Sequence, residues 1–128
     1  MTVDRRKSPD KSLKSKRQRM PKRCPSANLK IETDECVTIH LTLQLDPGDL
    51  GKPKGVFYAS GFRGGSQLEF QMHDACILIS MLLQHGYTAD MLLPKISQVT
   101  SPNGDVAHGS LIGLVLSAVT NFTKGLNL

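Results

Sequence analysis

The chain has 128 residues, 39% hydrophobic and 21% charged, which suits one modest globular domain. Three cysteines without a CxxC pair argue against a disulfide framework and fit a reducing compartment, and no apolar run approaches the length of a membrane span. The formal charge of +5 is split: residues 1–30 hold eleven Lys or Arg against two acids, a net of +9, whereas residues 31–128 carry a net of −4.

From Met1 to about Arg23 the chain offers Lys, Arg, Ser and Pro without hydrophobic periodicity. Such a stretch buries too little apolar surface to offset a backbone entropy cost of roughly 1–2 kcal/mol per residue. It is therefore expected to be a disordered basic arm over residues 1–26, with the boundary at Cys24-Pro25-Ser26-Ala27-Asn28. The arm has no apolar stretch of the secretory kind, and Asp4, Asp10 and two prolines argue against a mitochondrial presequence, so a cytoplasmic protein is expected.

Leu29 to Thr33 suits an edge strand. From Cys36 the pattern is clear: Val37, Ile39, Leu41, Leu43 and Leu45 alternate with Thr38, His40, Thr42 and Gln44, which predicts a strand with one buried face. Asp46-Pro47-Gly48-Asp49 and Gly51-Lys52-Pro53 supply turn chemistry, read as a long loop before a second strand over Lys54 to Ser60. Gly61-Phe62-Arg63-Gly64-Gly65 then delivers the chain to a helix, with Ser66 and Glu69 spaced as a capping box. Leu68, Met72, Ala75, Cys76, Ile79, Leu82 and Leu83 give that helix an apolar face, which Ile77 and Leu78 widen. Gly86 fits a left-handed stop. Thr88 to Leu93 reads as a short helix ending before Pro94, Ser101 to Asp105 as a loop, and Ser110 as the cap of an apolar last helix reaching about Phe122. The expected fold is α+β: a small antiparallel sheet, a hairpin plus an edge strand, packed against two main helices over residues 27–124, with a short tail at 125–128. The apolar excess on both helices points to self-association or docking on a larger protein.

Chemistry-bearing groups are few. Gly61, Arg63, Gly64, Gly65 and Ser66 form a strand-to-helix turn whose N–H groups could hold a phosphate, with Arg63 as counter-charge; the alternative is a tight turn needing positive φ. It matches neither common phosphate-loop motif. His73 and Cys76 share a helix face, but no second pair completes a zinc set. Cys36 and His40 would lie ~13 Å apart on a strand, too far to share an ion. No metal site and no catalytic group are expected. Arg5, Arg6, Lys7, Lys14, Lys16, Arg17, Arg19, Lys22 and Arg23 could contact a polyanion through salt-sensitive, weakly sequence-specific binding. No aromatic is interleaved for base stacking.

The order of these features resembles the TSCPD domain, found at the C-terminus of adenosylcobalamin-dependent ribonucleotide reductases and as short stand-alone bacterial proteins. The resemblance runs from about Cys36 to Val119, through the strand Val37-Thr38-Ile39-His40-Leu41, the strand around Val56-Phe57-Tyr58, the glycine turn and the segment Ile79-Ser80-Met81-Leu82-Leu83-Gln84-His85-Gly86-Tyr87. At the family's naming motif this chain reads Gly109-Ser110-Leu111-Ile112-Gly113 and keeps only the serine. The reductase's paired C-terminal cysteines and radical-generating barrel are absent, and no cobalamin site is evident. The resemblance implies a non-catalytic accessory or regulatory module, acting on a protein such as a reductase subunit or on a nucleotide, rather than a ribonucleoside-diphosphate reductase. The alternative is a nucleic-acid-binding protein that uses the arm, with the body as a dimerisation domain.

Overall fold

The computed structural model describes residues 17–33 and 37–126. Three strands form an antiparallel meander in the order β1-β2-β3: β1 Ser26–Glu32, β2 Thr38–Asp46 and β3 Asp49–Ser60. Helix α1, Gln67–Gln84, follows; then come α2, Ala89–Leu92, and a 3₁₀ turn, Leu93–Lys95. A second hairpin, β4 Gln98–Thr100 and β5 Val106–His108, leads to α3, Leu111–Leu126. The α+β architecture is the one the pattern predicts.

Alternation along β2 decides which face is covered. Ile39, Leu41, Leu43 and Leu45 are buried, and they meet Val56 of β3, Met72, Cys76, Ile79 and Leu83 of α1, and Val115, Leu116 and Val119 of α3 in one core. Both helices lie on that single face of the sheet. Helix starts follow local chemistry: Ser66 Oγ accepts the Glu69 N–H at 3.2 Å, and Ser110 Oγ accepts the Gly113 N–H at 3.2 Å.

Three details differ from the sequence expectation. The β2–β3 connection is a tight turn, not a long loop. Asp46 pairs with Asp49, Asp46 Oδ1 accepts the Gly48 N–H at 2.9 Å, and the ladder shifts register between Leu45 and Asp46. Pro53 fits within β3 because β3 is an edge strand, where a missing N–H need not break a ladder. Leu68 and Leu82 do not join the core, and Ile77 and Leu78 also stay exposed, since the 100° helical step turns them away from Met72, Cys76, Ile79 and Leu83. The short helix does end before Pro94, as its sequence predicts, and a 3₁₀ turn follows in which Pro94 stands near the start, where its N–H is not required.

The boundary of the arm also moves. Arg17, Gln18 and Pro25 bond to the body instead of hanging free. The Gln18 N–H donates to the Gln84 carbonyl at 2.8 Å, Arg17 Nε donates to Gln84 Oε1, and the Leu45 N–H donates to the Pro25 carbonyl at 2.8 Å. Arg5, Arg6, Lys7, Lys14, Lys16 and Cys36 lie outside the described residues.

Candidate ligand cleft

The C-terminal end of α1 is satisfied group by group. His85 donates its N–H to the carbonyls of Met81 and Leu82, Gly86 to Leu83 and Tyr87 to Leu82, with Gly86 at φ 101°. This is a Schellman closure, and it needs the glycine. Two helix carbonyls also take partners from far along the chain: Gln84 from the Gln18 N–H, and Leu83 from Lys54 Nζ at 3.5 Å. The last turn of α1 is thus the meeting place of the N-terminal segment and the β2–β3 hairpin.

Beside it opens a cleft of about 430 Å³. Its walls are Lys52, Pro53 and Lys54 from β3, Leu83 from α1, Tyr87 and Thr88 from the connection, Ala89 and Asp90 from α2, and Val119, Thr120, Thr123 and Lys124 from α3. After Lys30 the chain has only five Lys or Arg residues, and three of them, Lys52, Lys54 and Lys124, line this one cleft. Asp49 and Asp90 are the acids on its rim. Leu83 and Val119 form an apolar floor, and the half-exposed Tyr87 ring offers a flat wall. Two of the threonines are already committed: Thr120 Oγ1 donates to the Leu116 carbonyl at 2.8 Å and Thr123 Oγ1 to Val119 at 3.1 Å. Their oxygens still have lone pairs to accept with. A cleft with an apolar floor, one ring and several ammonium groups suits a small anion that also carries a flat apolar part.

Part of the glycine turn at the other end of α1 bonds within the protein. The Gly65 N–H donates to Glu69 Oε1 at 2.9 Å, the Ser66 N–H to the Arg63 carbonyl at 3.1 Å and the Phe62 N–H to the Tyr58 hydroxyl at 2.8 Å. The Glu69 carboxylate thus takes one of the N–H groups that the turn could offer an anion. Gly61 has its own reason to be glycine: at φ 139°, a Cβ there would stand 2.5 Å from the Thr38 carbonyl oxygen. Arg63 is exposed and roughly 27 Å of helix away from the lysines, at 1.5 Å per residue.

The other candidates separate. His73 is exposed and pairs with Asp74 at 3.9 Å, whereas Cys76 is buried with its Sγ 3.9 Å from Met72 Sδ. Burial pushes the Cys76 thiol up to about 12, so it is an inert core group rather than a nucleophile. Among the described residues, no group of three or more His, Cys, Asp or Glu side chains is placed to hold a metal ion. No single helix among them is long and apolar enough to cross a membrane. Of the basic residues expected to contact a polyanion, Arg17 is tied to Gln84, and Arg19, Lys22 and Arg23 are exposed on the segment that follows. Sequence reasoning missed the cleft because its lysines stand at positions 52, 54 and 124, and only the packing of α3 against α2 and β3 brings them together. No family model, no curated protein and no solved structure matches this chain.

Proposed function

We propose that the protein is a non-catalytic binding module for a small anionic ligand of the nucleotide class. In this reading the ligand lies in the cleft between β3, α2 and α3. The observation that carries it is the placement of Lys52, Lys54 and Lys124 around one apolar-floored cleft in an otherwise acidic body. Phosphates would meet the ammonium groups, and a base would lie against Tyr87. The order of strand, glycine turn, capped helix, glycine stop and last helix supports placing the chain beside the TSCPD accessory domains, with the ligand as a regulatory signal rather than a substrate.

Thermal unfolding with ATP, dATP and inorganic pyrophosphate tests the assignment, because a ligand that binds only the folded state raises Tm by mass action. The expected result is a shift with the nucleotides that Lys52→Ala and Lys124→Ala remove and Arg63→Ala leaves unchanged. No shift with any of the three anions would overturn the reading. Loss on Arg63→Ala alone would return the site to the glycine turn.

A second reading has its own support. Arg17 and Lys54 both bind the last turn of α1, so the basic segment joins the body next to the lysine cleft. A single-stranded nucleic acid could span both. Its binding would weaken steeply with salt and be lost on removing residues 1–23, whereas the nucleotide shift would persist.

A further inference from the structure

The ladder between β1 and β2 fixes where the backbone groups of β1 point. The Leu45 N–H reaches the Pro25 carbonyl at one end, and the Thr33 N–H reaches the Val37 carbonyl, at 2.9 Å, at the other. Odd-numbered residues of β1 therefore bond inward to β2. Those of Asn28, Lys30 and Glu32 face outward, and among the described residues they have no backbone partner. This open edge borders a groove of about 460 Å³, walled on its other side by Leu114, Ser117 and Phe122 of α3. Leu29, Ile31, Leu114 and Phe122 are all only half-buried along it.

We infer that this edge is the interface of a symmetric dimer, in which β1 of a second copy pairs antiparallel with β1 about a two-fold axis at Ile31. Charge complementarity selects the second copy. Lys30 and Glu32 point to the same face, and their charged groups lie 3.8 Å apart within the strand. With the axis at Ile31, Lys30 stands opposite the partner's Glu32, and Glu32 opposite the partner's Lys30. Both are positions whose N–H and C=O groups face outward, so the charge pairs coincide with hydrogen-bonded pairs. The two sheets become one of six strands, in which residues 30–32 of each exposed edge are paired across the axis. On the core side the two Ile31 side chains meet. The α3 helices fall on the same face of the joined sheet, where Ser117 and Ala118 leave room for close approach. The dimer does not depend on the lysine cleft, which is lined by other residues.

Sedimentation of the full chain across a concentration series tests the interface with three variants. Lys30→Pro removes an outward N–H that the folded monomer does not use, and Lys30→Glu sets like charges opposite one another. Each should weaken association about tenfold or more, with far-UV circular dichroism unchanged. The double variant Lys30→Glu with Glu32→Lys should restore the dimer, which mere damage to the strand would not allow. A chain that stays monomeric at about 100 μM overturns the inference. So does a dimer that ignores these changes and dissociates on Leu78→Asp, which would place the interface on the exposed face of α1.

Discussion

The hydroxyl of Ser80 accepts the Val56 N–H at 2.8 Å and donates to the carbonyl of the same residue at 2.9 Å. A single helix side chain thereby satisfies both outward backbone groups of a fully buried residue on the free edge of β3. It also fixes α1 on the sheet. Ser80→Ala should leave two buried polar groups unpaired, at about 1–3 kcal/mol for each. Urea denaturation should show the loss as a lower midpoint with little change in slope, and Ser80→Thr, which keeps a hydroxyl, should recover part of it.

The glycine turn makes a graded series. A Cβ added at Gly64 would meet nothing within 4 Å, so Gly64→Ala should be close to neutral. Gly65 is equally open but has φ 76°, so Gly65→Ala should cost about 1 kcal/mol from backbone conformation alone. At Gly61 a strained φ combines with the Thr38 oxygen and the Ile39 Cα at 2.5 and 2.8 Å, so Gly61→Ala should cost about 2–4 kcal/mol. Midpoints that fall in any other order would contradict the helix-turn account of this loop.

Cys76 sets a pH dependence. Its ordinary value is 9.0, and burial raises it to about 12 in the folded protein. Between those values the unfolded chain gives up a proton that the folded chain retains, so stability falls as pH rises across that window. Below pH 9 this group contributes no slope. Cys76→Ala should therefore decline less steeply than the parent above pH 9 and run parallel to it below, in denaturation curves taken across that range.

Asp46 acts at the opposite end of the scale. The Gly48 N–H holds its carboxyl below the ordinary value of 3.8, against a smaller opposing effect of desolvation and with further help from Gln18, Lys54 and Lys52. A depressed acid adds stability above its unfolded value and loses it as pH falls through the folded one. Asp46→Asn should thus flatten the acid limb of the stability profile below about pH 4, measured by thermal unfolding.

The N-terminal segment offers a mechanical test. Starting the chain at Met20 removes the Gln18 N–H and the Arg17 side chain, and with them two hydrogen bonds to Gln84. At roughly 1 kcal/mol for each bond, the truncated protein should unfold at a lower urea concentration than a chain starting at Arg17.

What the sequence discloses depends on whether a feature is local. The face of β2 was legible because four alternating residues are all buried, and Ser66, Gly86 and Ser110 because each closes a helix end within its own turn. The hairpin β4–β5 was not. Gln98, Val99, Thr100, Val106 and Ala107 are all exposed, so no alternation marks them, and the pairing is closed instead by the Ser101 N–H to the Asp105 carbonyl at 2.8 Å. The contacts of Arg17, Gln18 and Pro25 escaped notice because they join residues far apart in the chain, Gln84, Asp46 and Leu45, which no local pattern reveals. The candidate cleft is of the same kind. Lys124 meets Lys52 and Lys54 only after α3 has docked.

That docking also orders events during synthesis. The meander and α1 involve neighbours in the chain, and they can assemble while the ribosome is still adding residues. Val115, Leu116 and Val119 emerge last. Until they arrive, the inner face of the sheet has only α1 to shield it, and the nascent protein presents Leu41 and Leu43 to whatever chaperone stands nearby. A stop codon before α3 would therefore yield an aggregating fragment, not a smaller working domain.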